Sequence, residues 1–274
     1  MDKKLKLAVI GNPISHSKSP EIHQDFADQF DTKIEFGKYE VTPDALKEWL
    51  DSFFEDGGKG VSITLPLKES ALNYADEISD RAKLASACNV IYAKGDKLFA
   101  DCTDGFGLIK DLEENLTVFL EGKKILILGA GGAARGIIPS ILEKNPKKLK
   151  IANRTKSKAL LLKDDLESKV KPNEKKIIFE AGDLSNNFLL DDSYDLVINS
   201  TSVSTKAGQS IELPKALFSG TKLAYDLFYS AEKTVFMQEA LENGAEKVSD
   251  GWGMLVEQGA ESFRLWTNLI PDTS

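Results

Sequence analysis

The chain has 274 residues, 42% of them hydrophobic and 28% charged, with a formal net charge of −8. That length and apolar content suit one large globular domain or two ordinary ones, and the acidic balance argues against nucleic acid or an anionic membrane as a partner. No run of about 18 uninterrupted apolar residues is present to span a bilayer, and two cysteines (Cys88, Cys102) with two histidines (His16, His23) are too few for a disulfide framework or a multi-histidine metal site.

The N-terminal MDKKLKLAVIG lacks the long apolar core of a signal peptide, so a cytoplasmic location is expected. KLAVIG (6–11) reads as a strand. SPEIHQDFADQF (19–30) reads as a helix with Ser19 as N-cap and Pro20 in the first turn. IEFGKYEV (34–41) is a second strand, TPDALKEWLDSFF (42–54) a second helix, and GVSITL (60–65) a third strand stopped by Pro66. Short helices are expected near 68–75 and 77–86, a hairpin over 89–100 that turns at Lys94-Gly95-Asp96, and a helix over 104–115. A second series begins at KKILILG: strands near 123–128, 148–152, 176–180, 195–199 and 222–226, helices near 132–143, 156–168 and 234–243, and a last helix over 252–268. Alternating strands and helices predict an α/β fold in two α/β units, with the last helix packing back on the first unit and a cleft between the two.

LILGAGGAARG follows a strand and opens a helix, so Gly129, Gly131 and Ala134 fit G-x-G-x-x-G/A. Glycines in this turn let backbone approach a pyrophosphate, and the helix N-terminus offers unpaired N–H groups to it. The next strand ends at Asn153 and runs into Arg154, Lys156 and Lys158. NAD-binding proteins place there an acid that accepts from the ribose hydroxyls; a basic loop instead attracts a 2′-phosphate, which points to NADP. A solvated surface loop has the same composition.

Polar residues gather elsewhere at predicted strand ends, where open α/β sheets bind ligands. They are Ser15, Ser17 and Ser19; Thr64 and Lys68; and Asn89, Thr103 and Asp104. Ser19 and Asp104 read equally as helix caps, and Asn89 as a turn residue.

Taken together, the blocks GNPISHSKSP, GGKGVSITLPLK, ACNV, DCTDGFG, GAGGAARG, NRTKSKA, INSTS, YDLFY and DGWGMLVEQGAESFRLW resemble the shikimate dehydrogenase family almost end to end. The resemblance implies a substrate domain of 1–103 plus 251–274 and a Rossmann-type NADP-binding domain of 104–250. It implies that Ser17, Ser19, Thr64, Lys68, Asn89, Asp104, Tyr229 and Gln258 hold shikimate, with Lys68 and Asp104 catalytic. NADP would be held by Gly129, Ala130, Gly131, Gly132, Ala133, Asn153, Arg154, Thr155 and Lys158, with Leu227 and Gly251 near the nicotinamide and Asp80 a minor contact. The implied reaction is the reversible reduction of 3-dehydroshikimate to shikimate by NADPH. The rivals are an NAD-using quinate/shikimate dehydrogenase of the same family and a non-catalytic NADP sensor. An acid after the Asn-Arg pair would mark the first, and loss of Lys68 or Asp104 the second; neither is seen. The chain departs from the family pattern at Ser62, Cys88, Val90, Cys102, Lys158 and Ser204. The sequence is compatible with a monomer or a homodimer.

Overall fold

The computed structural model describes residues 4–169, 177–205 and 209–274. The chain divides into two compact units, 1–108 with 255–274 and 109–254.

The first unit opens with β1 (Leu5–Gly11) and α1 (Ser19–Asp28). It continues with β2 (Ile34–Glu40), α2 (Leu46–Glu55), β3 (Gly60–Ile63), α3 (Lys68–Ala71), β4 (Glu77–Ile78) and α4 (Asp80–Ala85). The hairpin β5 (Val90–Lys94) and β6 (Lys97–Asp101) leads to α5 (Asp104–Lys110), which continues as a π-turn over Asp111–Asn115. The six strands lie in the order β2-β1-β3-β5-β6-β4. β1 is parallel to β2 and β3, whereas β5 is antiparallel to β3 and β6, so this sheet is mixed. The hairpin turns over two residues, and Gly95 takes φ +62° there, a value that suits glycine.

Two expectations fail here for physical reasons. Ser19 does not cap α1: the first turn closes one residue earlier, with Ile22 N–H donating to Lys18 C=O at 3.1 Å, and the Ser19 hydroxyl lies 3.2 Å from that of Ser17 instead. The helix expected over 77–86 is shorter, because Glu77 and Ile78 pair with Phe99 and Ala100 of β6. α4 then starts behind Ser79, whose hydroxyl accepts from Ala82 N–H at 3.2 Å.

β1 alternates its buried side chains between two cores. Ala8 and Ile10 join Leu50, Phe53, Val61 and Ile63, while Leu7 joins Ile22, Phe26, Ala260 and Phe263. The last two belong to α10 (Trp252–Thr267), so the C-terminal helix packs on the first unit, as its lack of a following strand predicted.

The second core encloses His23, 1% exposed, with its ring 4.8 Å from Phe36 and 4.9 Å from Trp266. Burial pushes its imidazole down to about 3. The folded chain therefore keeps His23 neutral where the unfolded chain, near 6.5, takes up a proton. The contribution is intact above pH 6.5 and is lost as pH falls toward 3, by at most about 1.4 kcal/mol per pH unit. His23→Phe removes this acid sensitivity. Its stability relative to the parent should improve by roughly 2 kcal/mol between pH 7 and pH 5. Urea unfolding at the two pH values measures this, and a gap that stays constant would mean that His23 is protonated in the core.

The second unit holds β7 (Lys124–Leu128), α6 (Gly132–Glu143), β8 (Lys148–Ala152), α7 (Lys156–Lys169), β9 (Ile178–Gly182) and α8 (Asn186–Leu189). β10 (Leu196–Asn199), β11 (Leu223–Asp226), α9 (Val235–Glu242) and β12 (Val248–Ser249) complete it. Its sheet is parallel throughout, in the order β12-β11-β10-β7-β8-β9. The strand expected at 176–180 lies at 178–182; residue 176 falls outside the described residues. The chain winds outward from β7 to β9 and then returns to place β10 beside β7. That reversal is a topological switch point, where ligands of doubly wound sheets bind at the carboxyl ends of the strands.

Candidate functional site

On the first unit the hairpin and the strand before it bring distant residues together. Antiparallel pairing of β5 and β6 sets Asn89 beside Thr103 and Asp104, and β3 leads through Thr64 into the start of α3 at Lys68. The Lys68 ammonium lies 2.5 Å from Asp104 Oδ2, with the two side chains 15% and 5% exposed. The other oxygen, Oδ1, accepts from Asn89 Nδ2 at 3.1 Å. Asn89 Nδ2 also lies 2.9 Å from Thr103 Oγ1 and 2.9 Å from Gln258 Oε1, while Asn89 Oδ1 accepts from Thr103 N–H at 2.7 Å. Six of the eight residues expected to hold substrate therefore belong to two clusters of the first unit. Lys68, Asn89, Asp104 and Gln258 form a connected network; Ser17 and Ser19, 8% and 7% exposed, form a hydroxyl pair at the start of α1. Thr64 is half-buried, and its methyl would lie 2.5 Å from a Cβ at Gly11, so β1 approaches it closely. Tyr229 lies in the second unit, with its ring 6.0 Å from Trp252.

The network has members that spacing did not reveal. Thr103 and Ser262 hydroxyls lie 3.2 Å apart, and Ser262 follows Gln258 by one helical turn of α10. Behind them Arg81 grips Asp101 through Nε and Nη2 at 2.9 and 2.8 Å and reaches Glu261 at 2.9 Å. Asp101 Oδ1 accepts from Cys102 N–H at 2.7 Å, and its carbonyl accepts from Asn89 N–H at 3.1 Å. Arg81 thus fixes the strand end that carries Thr103 and Asp104. Burial opposes ionisation of the Asp101 carboxyl, but the Arg81 guanidinium, helped by Ser79 and the Cys102 N–H, holds it below its ordinary value. The departures Cys88 and Cys102 are buried in this core outside any disulfide, and burial pushes the Cys88 thiol up to about 12. Both act as small apolar side chains.

On the second unit the glycine turn follows β7 at the switch point. Gly129 takes φ +113°, and a Cβ there would lie 2.6 Å from Ser200 Oγ, so only glycine fits. A Cβ at Gly131 would meet nothing within 4 Å, which leaves open space in front of the α6 N-terminus. The first turn of α6 has no side-chain cap, so the N–H groups of Gly132 and Ala133 are available to an anion. Asn153 ends the neighbouring strand with Nδ2 donating to Thr155 C=O at 2.9 Å, and Arg154, Thr155 and Lys158 are exposed beside it. Arg135 of the same turn is engaged by Asp165 at 2.8 Å. These residues suit a dinucleotide with an additional phosphate on its adenosine side.

The tips of β10 and β11 carry a further buried cluster. Asp226, fully buried, accepts from Asn199 Nδ2 at 3.1 Å, Ser204 Oγ at 2.7 Å, Thr234 Oγ1 at 2.7 Å and Phe228 N–H at 3.1 Å. Ser204, which departs from the family glycine, thus supplies one of four donors to a carboxylate that burial pushes upward. This cluster holds the turn that presents Leu227. Leu227 N–H donates to Asn199 C=O at 2.9 Å, and a Cβ at Gly251 would lie 2.2 Å from Leu227 O, so backbones meet there. Asp80 stands on α4 of the first unit, almost fully exposed, 3.5 Å from Lys83.

A doubly wound unit with a phosphate cradle, joined in one chain to a unit with a buried lysine–carboxylate pair, has the build of a nucleotide-dependent oxidoreductase. Family models agree in three consecutive blocks. The shikimate dehydrogenase substrate binding domain matches residues 9–91, shikimate / quinate 5-dehydrogenase matches 111–217, and the shikimate 5'-dehydrogenase C-terminal domain matches 251–274. The chain is 42% identical over 267 residues to a shikimate dehydrogenase (NADP(+)) of Hahella chejuensis, covering 97% of this chain and 95% of that one. Among solved structures, an Ael1 enzyme from Pseudomonas putida superposes with TM-score 0.86 at 39% identity, covering 98% of this chain and 96% of that one. A shikimate 5-dehydrogenase of Thermus thermophilus in complex with NADP(H) and shikimate superposes with TM-score 0.84 at 30% identity, covering 98% and 95%. The chain belongs to the shikimate dehydrogenase family.

Proposed function

We propose that this chain reduces 3-dehydroshikimate to shikimate, reversibly, with NADPH as the hydride donor. The observation that carries the assignment is the Lys68–Asp104 pair, at 2.5 Å and mostly buried, within a network closed by Asn89 and Gln258. When bound, the dinucleotide supplies or accepts the hydride; Gly129 to Ala133 would cradle its pyrophosphate, Asn153, Arg154, Thr155 and Lys158 would hold its adenosine end, and Leu227 and Gly251 would serve its nicotinamide end. The protein's own task is to manage charge. A ketone oxygen that becomes an alkoxide needs a cation and a proton, and the Lys68 ammonium offers both. Asp104 orients that ammonium and accepts from a substrate hydroxyl; Asn89 and Gln258 bond further hydroxyls. Ser17 and Ser19, at the positive end of α1, suit the substrate carboxylate. Tyr229 completes the set of substrate contacts.

The chain works in the cytoplasm in this reading, with small molecules rather than nucleic acid as its partners. Its charge of −8 supports the second point, and its two buried cysteines, neither in a disulfide, support the first. No helix among the described residues is long and apolar enough to cross a membrane. The test is absorbance at 340 nm with shikimate and either NADP or NAD. Growth of the signal with NADP at a clearly higher kcat/KM supports the assignment. No turnover with either would overturn it.

A further inference from the structure

We infer that Lys38 is a specificity-determining residue that selects for the substrate's negative charge, acting beside the Ser17–Ser19 hydroxyl pair; this rests on the function proposed above. Lys38 lies on β2, next to Val9 of β1 in the parallel register, on the strand that flanks the loop leading into α1. Its ammonium is 3.3 Å from the carbonyl oxygen of Ser15 and 3.3 Å from that of Ser17. Ser17 carries one hydroxyl of the pair, 3.2 Å from the other on Ser19. A lysine ammonium has three hydrogens, and two carbonyls use two of them. Carbonyls fix an ammonium but do not neutralise it, so Lys38 brings a full positive charge to this loop. The other cation of the loop differs: Lys18 is 3.6 Å from Glu21 and has its charge balanced.

The hydroxyl pair alone would treat a carboxylate and a neutral polar group alike, since a serine can donate to either. Shikimate is an anion at neutral pH, and the chain that must bind it carries a net charge of −8. A local cation offsets that repulsion on approach and biases the hydroxyl pair toward carboxylate. Because Lys38 is exposed, its effect is modest and screened by salt.

The experiment compares Lys38→Arg, Lys38→Met and Lys38→Glu with the parent enzyme in steady-state oxidation of shikimate, at low and at high salt. Exposed charge pairs change affinity by about two- to fivefold. The expected result is a KM for shikimate raised by about that factor in Lys38→Met and by more in Lys38→Glu. Lys38→Arg should behave as the parent, and kcat and the KM for NADP should not move. High salt should bring all four enzymes together. A merely structural role through the two carbonyls would instead give Met and Glu variants with similar defects at every salt concentration. That pattern, or an unchanged KM in Lys38→Glu, overturns the inference. If the parent enzyme itself fails to oxidise shikimate, the proposed function falls and the inference falls with it.

Discussion

Lys68→Met is expected to lower kcat by a factor on the order of 10²–10⁴, the usual range for a positioned acid–base group, and to leave shikimate affinity near that of the parent. Methionine keeps the length and apolar stem of lysine, so packing against the start of α3 survives. What it removes is the ammonium held 2.5 Å from Asp104. In the proposed reading the substrate hydroxyls keep their partners in Asn89, Gln258 and Asp104, which is why binding should hold. The developing alkoxide loses both its counter-charge and its proton source, which is why the chemical step should not. Asp104→Asn provides the contrast. It removes the group that orients Lys68 and also a substrate acceptor, so kcat and KM should worsen together. Steady-state constants for both variants, with circular dichroism to confirm folding, separate the roles. A Lys68→Met enzyme with near-parental kcat would move the proton to another group.

Much of the fold is legible because its strands are short apolar runs bounded by turn residues. KILIL and LVIN are fully parallel-sheet in character, and both form central strands. The elements that escaped are those without a period of their own. β4 and β12 have two residues each and exist only because a neighbouring strand offers free backbone groups. The cap of α1 fell on Lys18 and not on Ser19, whose hydroxyl lies against that of Ser17. The candidate site divides along the same line. The glycine turn is local: its conformation and its ligand preference follow from residues within one strand–helix junction. The substrate network is not local. Lys68 and Asp104 are 36 positions apart, and Asn89 and Gln258 are 169 apart. Only strand register and the return of α10 bring them together, so their side chains could be named from the family resemblance but not joined by spacing. Arg81 and Lys38 left no signal at all. A lysine on an edge strand and an arginine in a short helix are ordinary surface residues until the structure shows what each one holds.

The basic stretch after β8 leads to the second large effect. Arg154 is exposed at the strand tip, next to Asn153, whose side chain bonds back to Thr155 and shapes the loop. Arg135 has its charge taken up by Asp165, which leaves Arg154 and Lys158 as the cations of the turn and loop best placed for a 2′-phosphate. A guanidinium meets a phosphate with charge-assisted and often bidentate hydrogen bonds. Bonds to charged groups are typically worth about 1.5–3 kcal/mol, which is roughly ten- to a hundredfold in kcat/KM. NAD lacks that phosphate, so the contact contributes to NADP alone. Arg154→Ala is therefore expected to raise the KM for NADP at least about tenfold while leaving the NAD reaction nearly unchanged. Lys158, on a more flexible stem and with a point charge, should contribute less. Arg154→Asp should go further and narrow or reverse the preference, because a carboxylate repels the phosphate and accepts from the free ribose hydroxyl. Salt should weaken NADP binding more in the parent than in either variant, since the contact is open to solvent. The deciding measurement is kcat/KM for both dinucleotides in the parent and in Arg154→Ala. Equal losses with the two would mean that Arg154 supports the loop and does not read the phosphate, and the task would pass to Lys158.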